Sequence, residues 1–166
     1  MDSATIIDRY YNLSLRFLSY RPRSKKEVLD YLKKKATKSP SLTEEIIAQI
    51  IEKLKSYKFI DDADFAKFWI EQRIKFKHKP MRVIEFELKQ KGIDREIIDE
   101  ILSRFDERKD LDLGSAKKLA EKKLDFYRGL DSKKRQEKVM GYLLRKGFNY
   151  EIVKKVLLDL PRSLEE

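Results

Sequence analysis

The sequence predicts an all-α fold of three tandem three-helix repeats that form an elongated, curved solenoid. The first observation is a repeated phrase, KGIDREII at residues 91–98 and KGFNYEIV at 146–153. The second is that residues 80–92 and 135–147, which end at the glycine of each phrase, align without gaps with residues 24–36. The period of about 55 residues is typical of stacked supersecondary units. The third is composition, because five glycines and four prolines among 166 residues leave few turns and favour long helices.

The last helix of each repeat is predicted from its apolar stripe. Isoleucine, valine and leucine recur at i, i+1, i+4 and i+5, which places them on one face of a helix. The stripe occurs three times: Ile46, Ile47, Ile50, Ile51 and Leu54; Ile97, Ile98, Ile101, Leu102 and Phe105; and Ile152, Val153, Val156, Leu157 and Leu160.

The middle helices are predicted over three aligned segments, residues 24–36, 80–92 and 135–147. Ser24 with Glu27, and Ser41 with Glu44, have the S-x-x-E spacing of a capping box, which starts a helix. Pro80 suits the first turn of a helix because its missing N–H is not needed there.

The same corner joins the last two helices in the second and in the third repeat. Its pattern is a lysine, a glycine, an apolar residue and an N-cap residue. Gly92 and Gly147 stand where a left-handed residue ends a helix, and Asp94 and Asn149 follow as N-caps of the next one. The first repeat lacks this corner and reads KKATKSPSLTEE instead.

The first helices of the repeats are predicted at about residues 4–20, 62–77 and 112–129. The repeats then occupy residues 1–60, 61–110 and 111–166 of one continuous repeat domain, in which stacking on a neighbour buries the apolar face of each unit. Phe65 and Trp69 are four residues apart on an apolar face, so we expect them in the core and not on a surface where bases stack.

The net charge indicates which partners the chain can bind, and the cysteine count indicates its redox environment. The net charge of +10 favours polyanionic partners or acidic protein surfaces, although a lysine-rich helical surface without a ligand explains it equally well. The absence of cysteine suits a reducing cytoplasm. MDSATIIDRYYNLS at the start lacks the pattern of a signal peptide, and no apolar run is long enough to span a membrane. We therefore expect a cytoplasmic protein.

Three segments carry a resemblance to a known family. RPRSKKEV (21–28) resembles the R-x-R-S-x-x-E-L signature of the RecX family, the regulators of bacterial RecA recombinase. FIDDADFAKFWIEQR (59–73) and IEFELKQKGI (84–93) resemble its second and third signatures in the same order and spacing. Two glycine positions depart from the pattern, because Lys58 replaces one and Lys77-His78-Lys79 replaces a glycine-containing turn.

The resemblance implies a function by binding. Proteins of this family bind the RecA filament on single-stranded DNA, lie in its helical groove and restrain filament growth, ATP hydrolysis and strand exchange. It therefore implies that this chain is not an enzyme, has no catalytic residue, needs no metal or cofactor, and works as a monomer on the RecA filament, with single-stranded DNA bound directly or through RecA. The alternative is a general nucleic-acid-binding protein that uses its basic surface directly on DNA, with affinity that falls steeply with salt.

Basic residues in three places are the candidate binding residues. RIKFKHKPMR (73–82) contains five cations and no acid, with Arg21 and Arg23 forming a second site and a lysine–arginine run near residue 134 a third. Some of these lysines also complement a helix C-terminus, which is a purely structural explanation. The full set is Arg21, Arg23, Arg73, Lys75, Lys77, Lys79, Arg82, Lys133, Lys134 and Arg135.

Two further features have a catalytic and a structural interpretation. Asp61, Asp62 and Asp64 have the oxygen ligands that a magnesium-dependent nuclease uses, but acids at this place also cap a helix. We prefer the cap because the sequence offers no second acidic cluster. His78 is the one histidine and has no partner for a triad or a metal site, so we expect a surface loop residue.

Overall fold

The structure of the chain is a computed structural model that describes residues 2–103 and 108–159, with residues 108 and 109 described by their backbone alone. Within these ranges the chain forms nine α-helices and no strand, which confirms the predicted all-α class. The helices are α1 (Ser3–Ser19), α2 (Lys25–Ala36), α3 (Glu44–Ser56), α4 (Asp62–Lys77), α5 (Met81–Gln90), α6 (Arg95–Ser103), α7 (Arg108–Phe126), α8 (Ser132–Lys146) and α9 (Tyr150–Asp159). No helix in the described ranges has the length and apolar character needed to cross a membrane.

The chain divides into two compact units. One unit consists of Met1–Phe68 and Leu88–Ile101, and the other of Trp69–Glu87 and Leu102–Glu166. The predicted boundaries of the three repeats, at residues 60 and 110, stay a prediction.

The core of the first unit contains the apolar stripe of α3. All five stripe residues of α3, from Ile46 to Leu54, are buried. They pack with Ile6 and Tyr10 of α1 and with Val28 and Leu32 of α2, among others. Phe65 is also buried, as predicted.

The core of the second unit repeats this arrangement with α7, α8 and α9. Ala116 and Ala120 of α7 pack with Val139 and Leu143 of α8, and the corner residue Phe148 joins this cluster. Val153 and Val156 supply the buried part of the last stripe. Phe105 and Leu160, the last members of two predicted stripes, lie outside the described residues.

Two predicted caps are confirmed at helix N-termini, and a third is wrong. Ser24 and Glu27 form the predicted capping box at α2, and Asn149 Oδ1 accepts from the Glu151 N–H at 2.9 Å at the start of α9. The predicted box of Ser41 and Glu44 is wrong, because Thr43 is the N-cap of α3 and accepts from the Ile46 N–H. Leu42 is buried at 2% exposure, so the chain at Ser41 is still in a turn that inserts this leucine into the core.

Three helices end with a left-handed residue in the same hydrogen-bonding pattern. Gly92 has φ 74° and Gly147 has φ 96°, and at both the next N–H reaches back to the carbonyl five residues earlier. The third case is Lys58 after α3, with φ 57°, a Lys58 N–H bond to Lys55 O of 2.8 Å and a Phe59 N–H bond to Leu54 O of 2.9 Å. His78, at φ 48° after α4, is the fourth left-handed residue in the described ranges.

The two glycine corners pack against the N-terminus of an earlier middle helix. In the first unit, Ser24 Oγ donates to Lys91 O at 2.7 Å, and a Cβ on Gly92 would lie 2.7 Å from the Lys26 side chain. In the second unit, a Cβ on Gly147 would lie 2.6 Å from the Val83 side chain. Both corners therefore need glycine for close approach as well as for positive φ.

A carboxylate from a first helix completes each of these contacts. Asp62 Oδ1 accepts the backbone N–H of Lys25 at 2.7 Å, and Asp112 Oδ1 accepts that of Met81 at 2.8 Å. Burial raises the pKa of both carboxyls, and these backbone hydrogen bonds oppose that increase only in part. In each unit, a carboxylate from a first helix therefore accepts the first backbone N–H of a middle helix.

Candidate partner-binding surface

Arg21 forms a two-bond ion pair inside the first unit. Its Nη2 lies 2.7 Å from Glu27 Oε1 and its Nη1 lies 3.3 Å from Glu27 Oε2. Lys91 Nζ also reaches Glu27 Oε1, at 2.9 Å. Burial alone would raise the pKa of Glu27, but the hydrogen bonds from Arg21 and Lys91 outweigh it and lower the pKa to about 2. The guanidinium of Arg21 therefore already holds a carboxylate of its own chain.

Arg23 stacks on an aromatic ring. Its guanidinium carbon lies 3.5 Å from the centroid of Phe17, and its Nε donates to Phe17 O at 3.0 Å. On the other side Phe17 stacks on Tyr31 at 4.2 Å between centroids, and Lys35 Nζ lies 5.3 Å from Tyr31. Arg23 therefore joins α1 to α2 through a cation–aromatic stack, a contact that a lysine would replace poorly.

Glu87 collects three donors from the predicted basic segment and the helix before it. Trp69 Nε1 and Arg73 Nε donate to Glu87 Oε2 at 2.9 and 2.8 Å, and Lys79 Nζ bonds to Oε1. The Arg73 guanidinium also lies 3.9 Å from the Trp69 ring. Burial acts to raise the pKa of Glu87, and the bonds from Lys79 and Arg73 reverse this and lower it. Arg73 and Lys79 thus hold α4 and α5 together.

Lys75, Lys77 and Arg82 present their charge to solvent. All three residues are exposed, and within residues 2–103 and 108–159 none of them forms an ion pair. Lys75 Nζ lies 5.4 Å from the ring of Phe76, which is itself 60% exposed. These cations are the part of segment 73–82 that is open to a partner.

The third predicted site divides in the same way. Lys133 and Lys134 are exposed, and Lys134 Nζ lies 3.5 Å from Asp131, the N-cap of α8. Arg135 is buried, with 7% of its surface exposed. Of this run, Lys133 is the residue with an open side chain and no carboxylate partner in the described ranges.

The two features with a catalytic interpretation have structural roles. Asp61 caps α4, with Oδ1 accepting the N–H groups of Ala63 and Asp64 at 2.9 and 3.0 Å, as the preferred interpretation predicts. Among the described side chains, no group of three or more acids and histidines is placed to hold a metal ion. His78 is half-buried, and its Nδ1 lies 3.1 Å from Ile74 O.

Cations that the sequence analysis left out lie beside the basic segment. Lys77, His78 and Lys79 line a cavity of about 290 Å³ together with Arg145 and Lys146 from the last turn of α8. The two α8 residues belong to the lysine–glycine corner, which we interpreted as helix termination only. Their proximity to residues 77–79 depends on tertiary structure, and no local pattern predicts it.

Models of three RecX domains match this chain in order. The first three-helix domain matches residues 11–54, the second residues 61–102 and the third residues 110–157. Regulatory protein RecX of Bacillus pumilus is 35% identical over 174 residues, and the alignment covers 100% of this chain and 64% of the relative. The same protein of Bacillus subtilis is 36% identical over 163 residues, covering 96% of this chain and 58% of the relative. The chain thus spans less than two thirds of the length of these relatives.

Two solved structures have the same fold. The crystal structure of RecX from Lactobacillus salivarius matches with a TM-score of 0.75 and 32% identity, over 95% of this chain and 97% of that one. A crystal structure of regulatory protein RecX matches with a TM-score of 0.73 and 30% identity, over 93% and 72%.

Proposed function

The chain belongs to the RecX family, and we propose that it regulates RecA by binding the RecA filament on single-stranded DNA. Binding restrains filament growth, ATP hydrolysis and strand exchange, and the chain performs no chemical step of its own. This proposal rests on the family match and on the basic segment at residues 73–82.

The main support for the proposal is that some cations of this segment are bound to a carboxylate while others are exposed. Arg73 and Lys79 are bound to Glu87, while Lys75, Lys77 and Arg82 are exposed and unpaired within the described residues. Lys75 and Lys77 stabilise no carboxylate in the described ranges, so they contribute little to folding and their charge remains available for a partner. The exposed guanidinium of Arg82 forms no ion pair in these ranges, although its charge acts on Asp112 and opposes the rise in the pKa of that carboxyl. We therefore assign the main electrostatic contact with the filament to these three residues. Lys133 forms a second contact beside Lys134, whose ammonium lies 3.5 Å from Asp131.

The arginines at residues 21 and 23 take a different part in the proposal. Arg21 and Arg23 fix the start of α2 through Glu27 and Phe17. Their contribution to binding is to position this corner, and each keeps donors that a partner can use, because a guanidinium has five.

The test is single-strand-dependent ATP hydrolysis by RecA with this protein titrated in at substoichiometric amounts. The salt is about 150 mM, where exposed charges act over about 8 Å. We expect inhibition well below one molecule per RecA protomer, with weak binding to bare DNA under the same conditions. Inhibition only when this protein saturates the DNA would instead identify a basic DNA-binding protein, and no inhibition at all would refute the proposal.

A matched pair of triple variants locates the contact. Lys75→Gln/Lys77→Gln/Arg82→Gln removes the three exposed cations, and we expect the concentration for half-inhibition to rise about ten-fold or more. The control is Lys33→Gln/Lys34→Gln/Lys38→Gln, which removes the same charge from exposed residues in and just after the last turn of α2. Equal loss in both variants would mean that net charge, and not this segment, drives binding.

A further inference from the structure

The second unit carries a strip of aromatic rings and cations that the proposed contact does not use. The Lys123 ammonium of α7 lies 4.8, 5.8 and 4.9 Å from the ring centroids of Phe126, Tyr127 and Tyr142. Lys146 Nζ also lies near the ring of Tyr142, at 5.4 Å from its centroid. We call these five residues the aromatic–cation strip.

Lys146 connects the strip to the basic cavity. It lines the cavity of about 290 Å³ with Lys77, His78, Lys79 and Arg145, and Pro80 and Val83 complete the lining. No acidic side chain is among these seven residues. The charge and the rings therefore form one surface that extends from the end of α7, across α8, to the loop between α4 and α5.

Part of this surface is open to a ligand, whereas Tyr127 and Tyr142 pack partly against the core of the second unit. Phe126 is 72% exposed. Lys79 is bound to Glu87, but Lys77, Lys123, Arg145 and Lys146 have no carboxylate partner in the part of the chain that the structure describes. A cavity lined by unpaired cations is electrostatically incomplete and favours an anion.

The alternation of aromatic rings and cations indicates which class of anion this surface would bind. An acidic peptide would use the cations and leave the rings without a role, and a duplex keeps its bases stacked inside, away from the rings. Single-stranded nucleic acid uses both, because phosphates bind arginine and lysine while unstacked bases lie on aromatic rings. We infer that the strip and the cavity bind single-stranded nucleic acid directly, with a backbone phosphate at Arg145 and Lys146 and a base on Phe126.

This inference rests on the proposed function only in naming single-stranded DNA as the physiological ligand. The test therefore contains no RecA. Fluorescence anisotropy of a labelled thymidylate oligomer of about 20 nucleotides measures binding of the whole chain between about 50 and about 200 mM salt.

The first variant removes the exposed ring. Phe126→Ala should weaken binding about five-fold or more, the lower end of what one base–aromatic stack contributes. Phe126→Trp keeps a ring at this position and should retain the affinity. Equal weakening by both variants, with an unchanged melting temperature, would overturn the assignment of a stacking role to this residue.

The second variant removes the charge of the cavity. Arg145→Gln/Lys146→Gln should reduce the slope of log K against log salt by about 0.7, since the two side chains share one phosphate and each phosphate contact on a single strand contributes about 0.7. Lys117→Gln/Lys118→Gln is the matched control, because both lysines are exposed on α7 and neither lines the cavity. Equal reductions in slope would show diffuse electrostatic attraction and overturn the inference, as would displacement of the oligomer by polyglutamate at the same charge concentration.

The outcomes separate this inference from the proposed function. If the chain inhibits ATP hydrolysis by RecA but all four variants bind the oligomer with the same affinity, nucleic-acid binding by the strip is refuted and the proposed regulation of RecA stands. If the variants lose oligomer binding as described but the chain does not affect RecA, the proposed regulation is refuted and nucleic-acid binding by the strip stands.

Discussion

Replacing Lys58 by glycine should raise the free energy of unfolding, although the change removes a side chain and adds no contact. Lys58 has φ 57°, a left-handed conformation that its Cβ disfavours. The two hydrogen bonds that end α3 at this point, Lys58 N–H to Lys55 O and Phe59 N–H to Leu54 O, require that conformation. The strain is therefore built into the end of the helix.

The size of the effect follows from two opposing terms. Relief of the left-handed strain contributes about 1–2 kcal/mol, while the greater freedom of glycine in the unfolded chain costs about 0.5–1 kcal/mol. The Lys58 side chain is exposed and makes no ion pair in the described ranges, so its loss costs little. We expect a net gain of about 0.5–1 kcal/mol.

Urea unfolding followed by circular dichroism measures this gain. With a slope of about 2 kcal/mol per molar urea, the midpoint should rise by about 0.3–0.5 M at constant slope. Lys58→Ala is the control, because it removes the same side chain and keeps the Cβ, and it should leave the midpoint nearly unchanged. A Lys58→Gly midpoint at or below that of Lys58→Ala would refute the argument from backbone strain.

Two further predictions concern the glycine corner and the Glu27 ion pairs. Gly147→Ala should lower the free energy of unfolding by more than about 1 kcal/mol, because alanine would have to adopt φ 96° and its Cβ would meet the Val83 side chain. Gly129→Ala is the control and should be nearly neutral in the same urea experiment, because a Cβ there has nothing within 4 Å. Similar midpoints for both variants would contradict the corner packing. The folded pKa of Glu27, about 2, lies below its ordinary 4.5, so this carboxylate stabilises the fold above about pH 4.5, and that stability is lost as the pH falls toward 2. The shift corresponds to about 3 kcal/mol, which solvent screening of the partly exposed pair with Arg21 reduces to about 2 kcal/mol. Glu27→Gln should therefore melt well below the native chain at pH 7 and by a much smaller margin at about pH 2.5, where most of the stabilisation is lost, and a constant difference between the two melting curves would refute the ionic explanation.

The helices and corners were predictable because their causes are local. Glycine at 92 and 147, followed two residues later by a polar cap, determines both where a helix ends and where the next begins. The cap of α3 was not resolved by such a rule, since Ser41 has a glutamate three residues later, whereas Thr43, the residue that caps the helix, has Ile46 at that place. The burial of Leu42 decides between them, and burial is a tertiary effect.

The candidate binding residues were predictable by type and not by role. The bond between Arg73 and Glu87 joins residues 14 apart and that between Lys91 and Glu27 joins residues 64 apart, so neither follows from local spacing. One signal was available for Arg135. In the gapless alignment of the middle helices this residue occupies the column of Ser24 and Pro80, and all three are buried. A repeat column predicts burial even where the residue type suggests the surface.

The position of a cation on its helix explains part of its role. Cations near the start of a middle helix oppose the helix dipole, and Arg21 and Lys79 at these places are bound to carboxylates, whereas Arg82 and Lys133 are exposed and form no ion pair within the described residues. Cations in a last turn, such as Lys77 and Lys146, are already stabilised by the dipole and need no carboxylate. The structural and the functional explanations of these lysines are therefore compatible, because the helix end that stabilises the cation also leaves its charge unneutralised and free to attract an anion.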